Sequence, residues 1–417
     1  MNALFNRYLY VCLFGLLTGT NAWAQYSEKL SFEAGLDYEV GRAIFEKVWV
    51  SSPSSTKASD GLGPLYSARS CEQCHQQARR GGVANSLVLQ TSDAFYGNQI
   101  QRFAVAGVKA EARVSVHYKD RKIESGGGKF SVLQQPEYIV ESDQSQPSLS
   151  SFSPRIASSL EGIGLLALIP EDLIAALADE DDKDEDGISG RINKVWDSEA
   201  QREVLGRFGW KASQGSLKQQ VARALSLDMG ISTSVYPAAY GDCSKAQQIC
   251  LEMPDGNSAQ HDGVEASAVM LESLLLYVSN IPAPVQIEEH SEAFFRGQPL
   301  FEGALCNSCH YEEFNVNSST ISPYSDFLLH DMGDGLEDSY ASNSANAGLA
   351  TGREWRTAPL WGITRSINTA EYLHDGRAKS LQEAILWHGG EAESSLARYK
   401  SMSKAQRDDL ISFLNEL

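Results

Sequence analysis

Two copies of one five-residue pattern constrain this chain more than anything else in it: Cys71-Glu72-Gln73-Cys74-His75 and Cys306-Asn307-Ser308-Cys309-His310. The C-x-x-C-H spacing puts two thiols one helical turn apart, so both can form thioethers to the vinyl groups of one haem. The adjacent histidine is then aimed at the iron. A thioredoxin-like pair would open a helix after a strand in a βαβ unit, and neither copy has that setting. A zinc site needs Cys/His pairs at matching spacing and gives a duplicated trailing histidine no role. The sequence therefore predicts two covalently bound haem c groups, with His75 and His310 as proximal iron ligands. Each motif has an amphipathic lead-in, Gly41-Arg42-Ala43-Ile44-Phe45 before the first and Phe295-Arg296-Gly297-Gln298-Pro299-Leu300-Phe301 before the second.

Three cysteines remain. Cys12 lies inside an apolar run, Tyr8 to Leu17, that follows Arg7 and precedes Ala22-Trp23-Ala24. That order of charge, apolar stretch and small-x-small site is a cleaved secretory signal over residues 1–24, and the bulky residues before Cys12 make it a poor lipid-anchor site. The mature chain is expected in a periplasm, where thiols meet oxidants. Cys243 and Cys250 read there as a local disulfide contributing about 2–3 kcal/mol by loop closure, with a catalytic dithiol as the rival. No later stretch is apolar enough for a membrane span. The formal net charge of −19 excludes nucleic acid and anionic membranes as partners, and permits steering toward a basic protein.

The 417 residues allow two or three domains. Asn280-Ile281-Pro282-Ala283-Pro284 reads as a stiff linker, separating an N-terminal haem domain (25–280) from a C-terminal one (281–417). The first is too long for one small haem domain, and part of the surplus is a period-two stretch, Val108 to Val116, expected as a strand in a hairpin. Elsewhere the period is helical, over Glu171 to Ala178, Leu217 to Leu227, Ser267 to Val278 and Leu381 to Trp387. The expected class is mainly α: two cytochrome c-type haem domains, the N-terminal one enlarged by a small β insertion. Asp182-Lys183-Asp184-Glu185-Asp186-Gly187-Ile188 has alternate carboxylates with glycine sixth, the pattern of a calcium loop, with Asp182, Asp184, Asp186 and the Ile188 carbonyl as ligands. Position twelve is Asn193 rather than a bidentate glutamate, which departs from that pattern; the bland reading is a solvated acidic loop.

The stretches Gly206-Arg207-Phe208-Gly209-Trp210-Lys211-Ala212, Asp228-Met229-Gly230-Ile231, Arg356 to Gly362, Tyr372 to Ala378 and His388-Gly389-Gly390-Glu391-Ala392 resemble the di-haem oxidoreductase family, described as peroxidases or thiol oxidoreductases. More distantly the chain is similar to bacterial di-haem cytochrome c peroxidases and to the di-haem enzyme that matures methylamine dehydrogenase. In those relatives the position of His388 holds the distal ligand of the C-terminal haem, a methionine or a tyrosine. The resemblance thus implies a bis-histidine C-terminal haem held by His310 and His388, with His374 and His330 competing for the role or bonding a propionate. It also implies Trp210 as an inter-haem bridge, Gln220 as a distal hydrogen-bonding group and Asp228 as the acid/base. Gly164-Leu165-Leu166 is followed by Ala167 where the family commonly has glutamate.

The two halves can also be compared with each other. Trp210 precedes Leu217 by seven residues, and His374 precedes Leu381 by seven. Seven past each leucine stand Ala224 and His388. Alanine cannot bind iron, so the N-terminal haem is expected to keep an open distal site unless Met229 closes it. The reading is a peroxidase-like oxidoreductase that takes electrons from a small cytochrome or cupredoxin and passes them to peroxide or a protein substrate. The alternatives are a non-enzymatic electron carrier and a partner-modifying or thiol-oxidising enzyme.

Overall fold

The computed structural model describes residues 30–126, 129–142, 147–149, 151–285, 287, 289–339, 348–365 and 370–417. The signal segment and Cys12 lie outside the described residues. Six helices position the site: α1 (Phe32–Glu46), α2 (Leu217–Met229), α3 (Ala268–Ser279), α4 (Glu292–Gly303), α5 (Leu381–Leu386) and α6 (Lys404–Asn415). Each starts at a serine, Ser31, Ser216, Ser267, Ser291, Ser380 or Ser403, whose hydroxyl accepts a first-turn N–H that the helix cannot satisfy.

Two equivalent helix pairs frame the haem motifs. In α1, a Cβ on Gly41 would collide with the Ser273 carbonyl of α3, so only glycine lets these backbones touch. Gly297 of α4 stands in the same way against the Asp409 carbonyl of α6. Four residues past each glycine a phenylalanine enters a core: Phe45 packs on Tyr277 at 5.2 Å between ring centres, Phe301 on Phe413 at 5.1 Å. Phe45 belongs to a core whose members all fall between residues 44 and 281; Phe301 belongs to one built, Leu133 apart, from residues 294 to 414. The proline-rich 280–284 segment is tied down between them, since Gly162 N donates to the carbonyls of Ile281 and Pro282.

The expectation of a mainly α chain of cytochrome c domains does not hold. Helix makes up 32% and strand 21%, and the fold is mixed α/β. Nor is the β insertion small. Strands β1 (Ala112–Gly126) and β2 (Lys129–Ser142) form one long antiparallel hairpin. Most other strands span two to four residues and pair in twos, as in β3 (Leu329–Asp331) with β4 (Glu354–Arg356). Elements that short leave no periodicity in a sequence. They form because buried loop backbone must hydrogen-bond somewhere, and a neighbouring extended segment is the nearest partner.

The hairpin straps the N-terminal half onto the C-terminal one. Leu133 sits in the C-terminal core, Gln134 N donates to Glu383 at 2.7 Å, Arg407 donates to the Ser125 carbonyl at 2.7 Å, and the Tyr138 hydroxyl donates to buried Asp375 at 2.7 Å. Among the described residues no helix is long and apolar enough to cross a membrane.

Candidate functional site

The second motif begins where α4 ends, in the tight turn Cys306–Ser308. His310 Nδ1 donates to the Tyr324 carbonyl at 3.0 Å, which fixes the tautomer and leaves the Nε2 lone pair available to a ligand site. Burial pushes the His310 pKa down to about 4, so the imidazole is neutral, as a ligand must be. His388, just past α5, repeats the device: Nδ1 donates to the Ala384 carbonyl at 2.8 Å, and burial lowers its pKa as well. Cys306, Cys309, His310 and His388 line one largely apolar cavity, and His388 stands near enough to depress the His310 pKa further.

The other two histidines are placed differently. His330, on β3, has both ring nitrogens against carboxylates, Nε2 on Asp326 at 2.8 Å and Nδ1 on Glu391 at 2.7 Å. No lone pair is left there for iron. His374 stacks on Trp355 at 3.7 Å and lines the same cavity; its buried Nε2 has no hydrogen-bond partner among the described residues and lies 3.9 Å from Asp375 Oδ2. The far face of Trp355 carries the Lys211 ammonium at 3.5 Å, held by the carbonyls of Thr351, Gly352 and Glu354.

In the first motif, Ser70 caps the turn Cys71–Cys74, and His75 Nδ1 donates to the Ser158 carbonyl at 2.9 Å. Burial again pushes this imidazole down to about 4. Burial drives the Cys71 and Cys74 thiols up to about 12, and the nearby Asp228 carboxylate adds to both. Asp228 takes a hydrogen bond from Gln99 Nε2 at 2.8 Å, yet burial still raises its pKa. Met229 is buried in the core cluster against which Cys71 packs. The Gln220 amide oxygen lies beside Gly209, next to Trp210. Ala167 is exposed, so a glutamate there would face solvent in this chain.

One short stretch of backbone, residues 156–158, joins the two sites. Ile156 O accepts from Trp210 Nε1 at 2.8 Å, Ile156 N donates to the His374 carbonyl at 2.7 Å, and Ser158 O holds His75. Trp210 and Ser158 both line the cavity that contains His310. The acidic loop lies at its edge. Carboxylate oxygens of Asp182, Asp184 and Asp186 come within 4.8 Å of one another, and Ile188 is buried against the cavity. Asn193, the twelfth residue of that loop, is turned inward and bonded to the Lys211 and Ala212 carbonyls.

A family model described as "di-haem oxidoreductase, putative peroxidase" matches residues 140–417. The chain belongs to the di-haem oxidoreductase family. The matched region of this di-haem oxidoreductase holds Trp210, Gln220, Asp228, the Cys306 motif and His388. The Cys71 motif precedes the matched region. Among solved structures, hydrazine synthase from Kuenenia stuttgartiensis aligns at 16% identity over 67% of this chain and 99% of that one, with a TM-score of 0.26. No curated protein matches.

The residues fit the haem that the family implies. Each motif histidine has its Nδ1 tied to a backbone carbonyl, and the cavity is mostly apolar, with a buried His374 nitrogen that takes no hydrogen bond from the described residues. Sequence reasoning missed Ser158, Gln99, Asp326 and Glu391 as parts of the site. Glu391 stood inside a quoted motif; the other three carried no signal, being ordinary residues brought in by loops.

Proposed function

We propose that this di-haem oxidoreductase is an exported peroxidase-like enzyme with one closed and one reactive haem. Haem, attached through Cys71/Cys74 and Cys306/Cys309, supplies iron that cycles between ferric and ferrous states. The observation that carries the reading is the asymmetry of the two sites. The C-terminal cavity brings His310 and His388 together, whereas the N-terminal motif has the buried carboxyl of Asp228 nearby and an alanine at the position matching His388. Two imidazoles fill an iron's axial positions and leave an electron-transfer centre. Asp228 serves as the group that takes and returns a proton at the N-terminal site, positioned by Gln99, and Gln220 supplies a hydrogen bond on the Trp210 side.

Electrons enter at the C-terminal motif. Exposed Glu302, Glu312 and Glu313 rim a pocket beside Asn307, and they favour a small basic donor of the cytochrome or cupredoxin kind. Trp210 and the 156–158 backbone then lead toward His75. The Cys243–Cys250 disulfide agrees with an oxidising, periplasmic location and disfavours thiol oxidation as the activity, since Cys250 is buried. Recovery of the haem-bearing protein in the cytoplasm would remove the location.

One observation favours a second reading. Met229 is buried in the cluster that receives Cys71 and could close the N-terminal iron, leaving an electron carrier. Titrating oxidised and half-reduced holoprotein with hydrogen peroxide, followed optically and by low-temperature spin resonance, separates the two. A high-valent signal, slowed by Asp228→Asn, establishes the peroxidase reading; two unresponsive low-spin haems in both redox states establish the carrier.

A further inference from the structure

His330 is 2% exposed and bonded through both ring nitrogens to carboxylates that can only accept, so both nitrogens donate. This arrangement is costly to bury and takes no part in the transfer described above. Its surroundings show what it holds. Cys309 Sγ lies 3.6 Å from the imidazole, and Asp326 N donates to the Cys309 carbonyl at 3.0 Å, so one side of the pair is fixed to the haem motif. On the other side, Glu391 lies three residues after His388 in the turn Gly390–Ala392.

Every oxygen of Glu391 is engaged. Oε1 accepts from Asp331 N at 3.0 Å and Ser189 Oγ at 3.3 Å; Oε2 accepts from Ser189 N at 3.0 Å as well as from His330. The backbones beneath are equally close. A Cβ on Gly390 would strike the Asp331 carbonyl, and one on Gly333 would press on Gly390 N, both glycines having positive φ. The turn that leaves His388 is therefore seated on β3 by one carboxylate. Among the described residues His388 itself bonds just to the preceding turn of helix, its ring to the Ala384 carbonyl and its N–H to the Ile385 carbonyl.

We infer that Glu391, gripped by His330 and Ser189, is a positioning residue that holds the His388 turn against the C-terminal haem and so keeps that haem closed. The inference rests on the reading of His388 as the distal ligand. An amide at position 391 keeps size but sets an NH2 against at least one N–H or O–H donor whichever way it turns, so Glu391→Gln unseats the turn without opening a cavity.

The test compares ferric holoprotein of wild type, Glu391→Gln and His388→Ala by low-temperature spin resonance and cyanide binding. In Glu391→Gln a fraction of the C-terminal haem should leave the bis-histidine low-spin signal. Cyanide should bind that haem roughly tenfold faster, as expected for loss of one charge-assisted buried hydrogen bond. Both haems should remain covalently attached. An unchanged spectrum and cyanide rate in Glu391→Gln, beside an opened iron in His388→Ala, would overturn the inference. An unchanged His388→Ala would instead remove His388 from the iron. Should Glu391→Gln not accumulate as holoprotein, His330→Gln, which leaves the imidazole's two acceptors with fewer donors, is read the same way. A merely structural pair would lower the unfolding temperature and leave the spectrum unmoved.

Discussion

The indole nitrogen of Trp210 donates to the Ile156 carbonyl at 2.8 Å, two residues before Ser158, whose carbonyl takes the His75 Nδ1 proton at 2.9 Å. A side chain on the wall of the C-terminal cavity is thus linked, through one short stretch of backbone, to the histidine of the N-terminal C-x-x-C-H motif. Neither Ile156 nor Ser158 contributes a side chain to the link.

If that stretch is the electron path, Trp210→Phe should slow transfer between the haems. The ring is kept but its bond to Ile156 is lost, at a stability cost of about 0.5–1.5 kcal/mol. Flash reduction of the C-terminal haem, timed by the absorbance of the N-terminal one, reads the rate. Equal rates in variant and wild type, with both haems present, would take Trp210 out of the path.

His388→Met should raise the reduction potential of the C-terminal haem, because a His/Met iron favours the ferrous state more than a bis-histidine iron does. Spectroelectrochemical titration resolves the two haems. A potential that does not move would mean that His388 is not on the iron.

The contribution of three buried carboxyls to stability should fall as pH rises from about 4 to about 8, while buried bases such as His75 and His310, lowered to about 4, slope the other way. Burial raises Glu111 to about 8, Glu265 to about 7 and Asp242 to about 6. A raised carboxyl binds its proton longer in the folded chain than in the unfolded one. Its contribution is full below the unfolded value near 4 and is lost as pH passes the folded value. Each group adds a slope of at most about 1.4 kcal/mol per pH unit. Denaturant unfolding of wild type and Glu111→Gln from about pH 4 to about 8 should show wild type losing stability relative to the variant as pH rises; a difference that does not change with pH contradicts this.

Replacing Cys243 and Cys250 by serine should cost about 2–3 kcal/mol of stability and leave turnover with peroxide intact. Loss of turnover in a variant that still carries both haems would make the pair redox-active.

Calcium should bind the Asp182, Asp184 and Asp186 loop and raise the unfolding free energy by about 2.7 kcal/mol at a hundredfold excess over its dissociation constant. Asp184→Asn should abolish the calorimetric binding signal. Identical unfolding curves with calcium and with chelator leave the loop as a solvated acidic turn.

What the sequence alone determined is chemistry bound to local spacing. The C-x-x-C-H motifs, the glycine-then-phenylalanine lead-ins and the serine-capped helices each need only a handful of neighbouring residues, so short-range stereochemistry specifies them. The helix expected over Leu217 to Leu227 runs to Met229, and the one expected from Ser267 starts just after that cap. Ala224 and His388 were likewise distinguishable by counting. The tertiary structure decided which of these groups meet. The β content was hidden because strands of two to four residues leave no period, and they exist only where distant backbones lie side by side. His330 and His374 were indistinguishable as letters: Asp326 and Glu391 take both nitrogens of one, while Trp355 takes the face of the other. Asn193 looked like the weak end of a calcium loop until its amide was found bonded to Lys211 and Ala212. Ser158 and Ile156 act through carbonyls that every residue has, so only the path of the folded chain selects them.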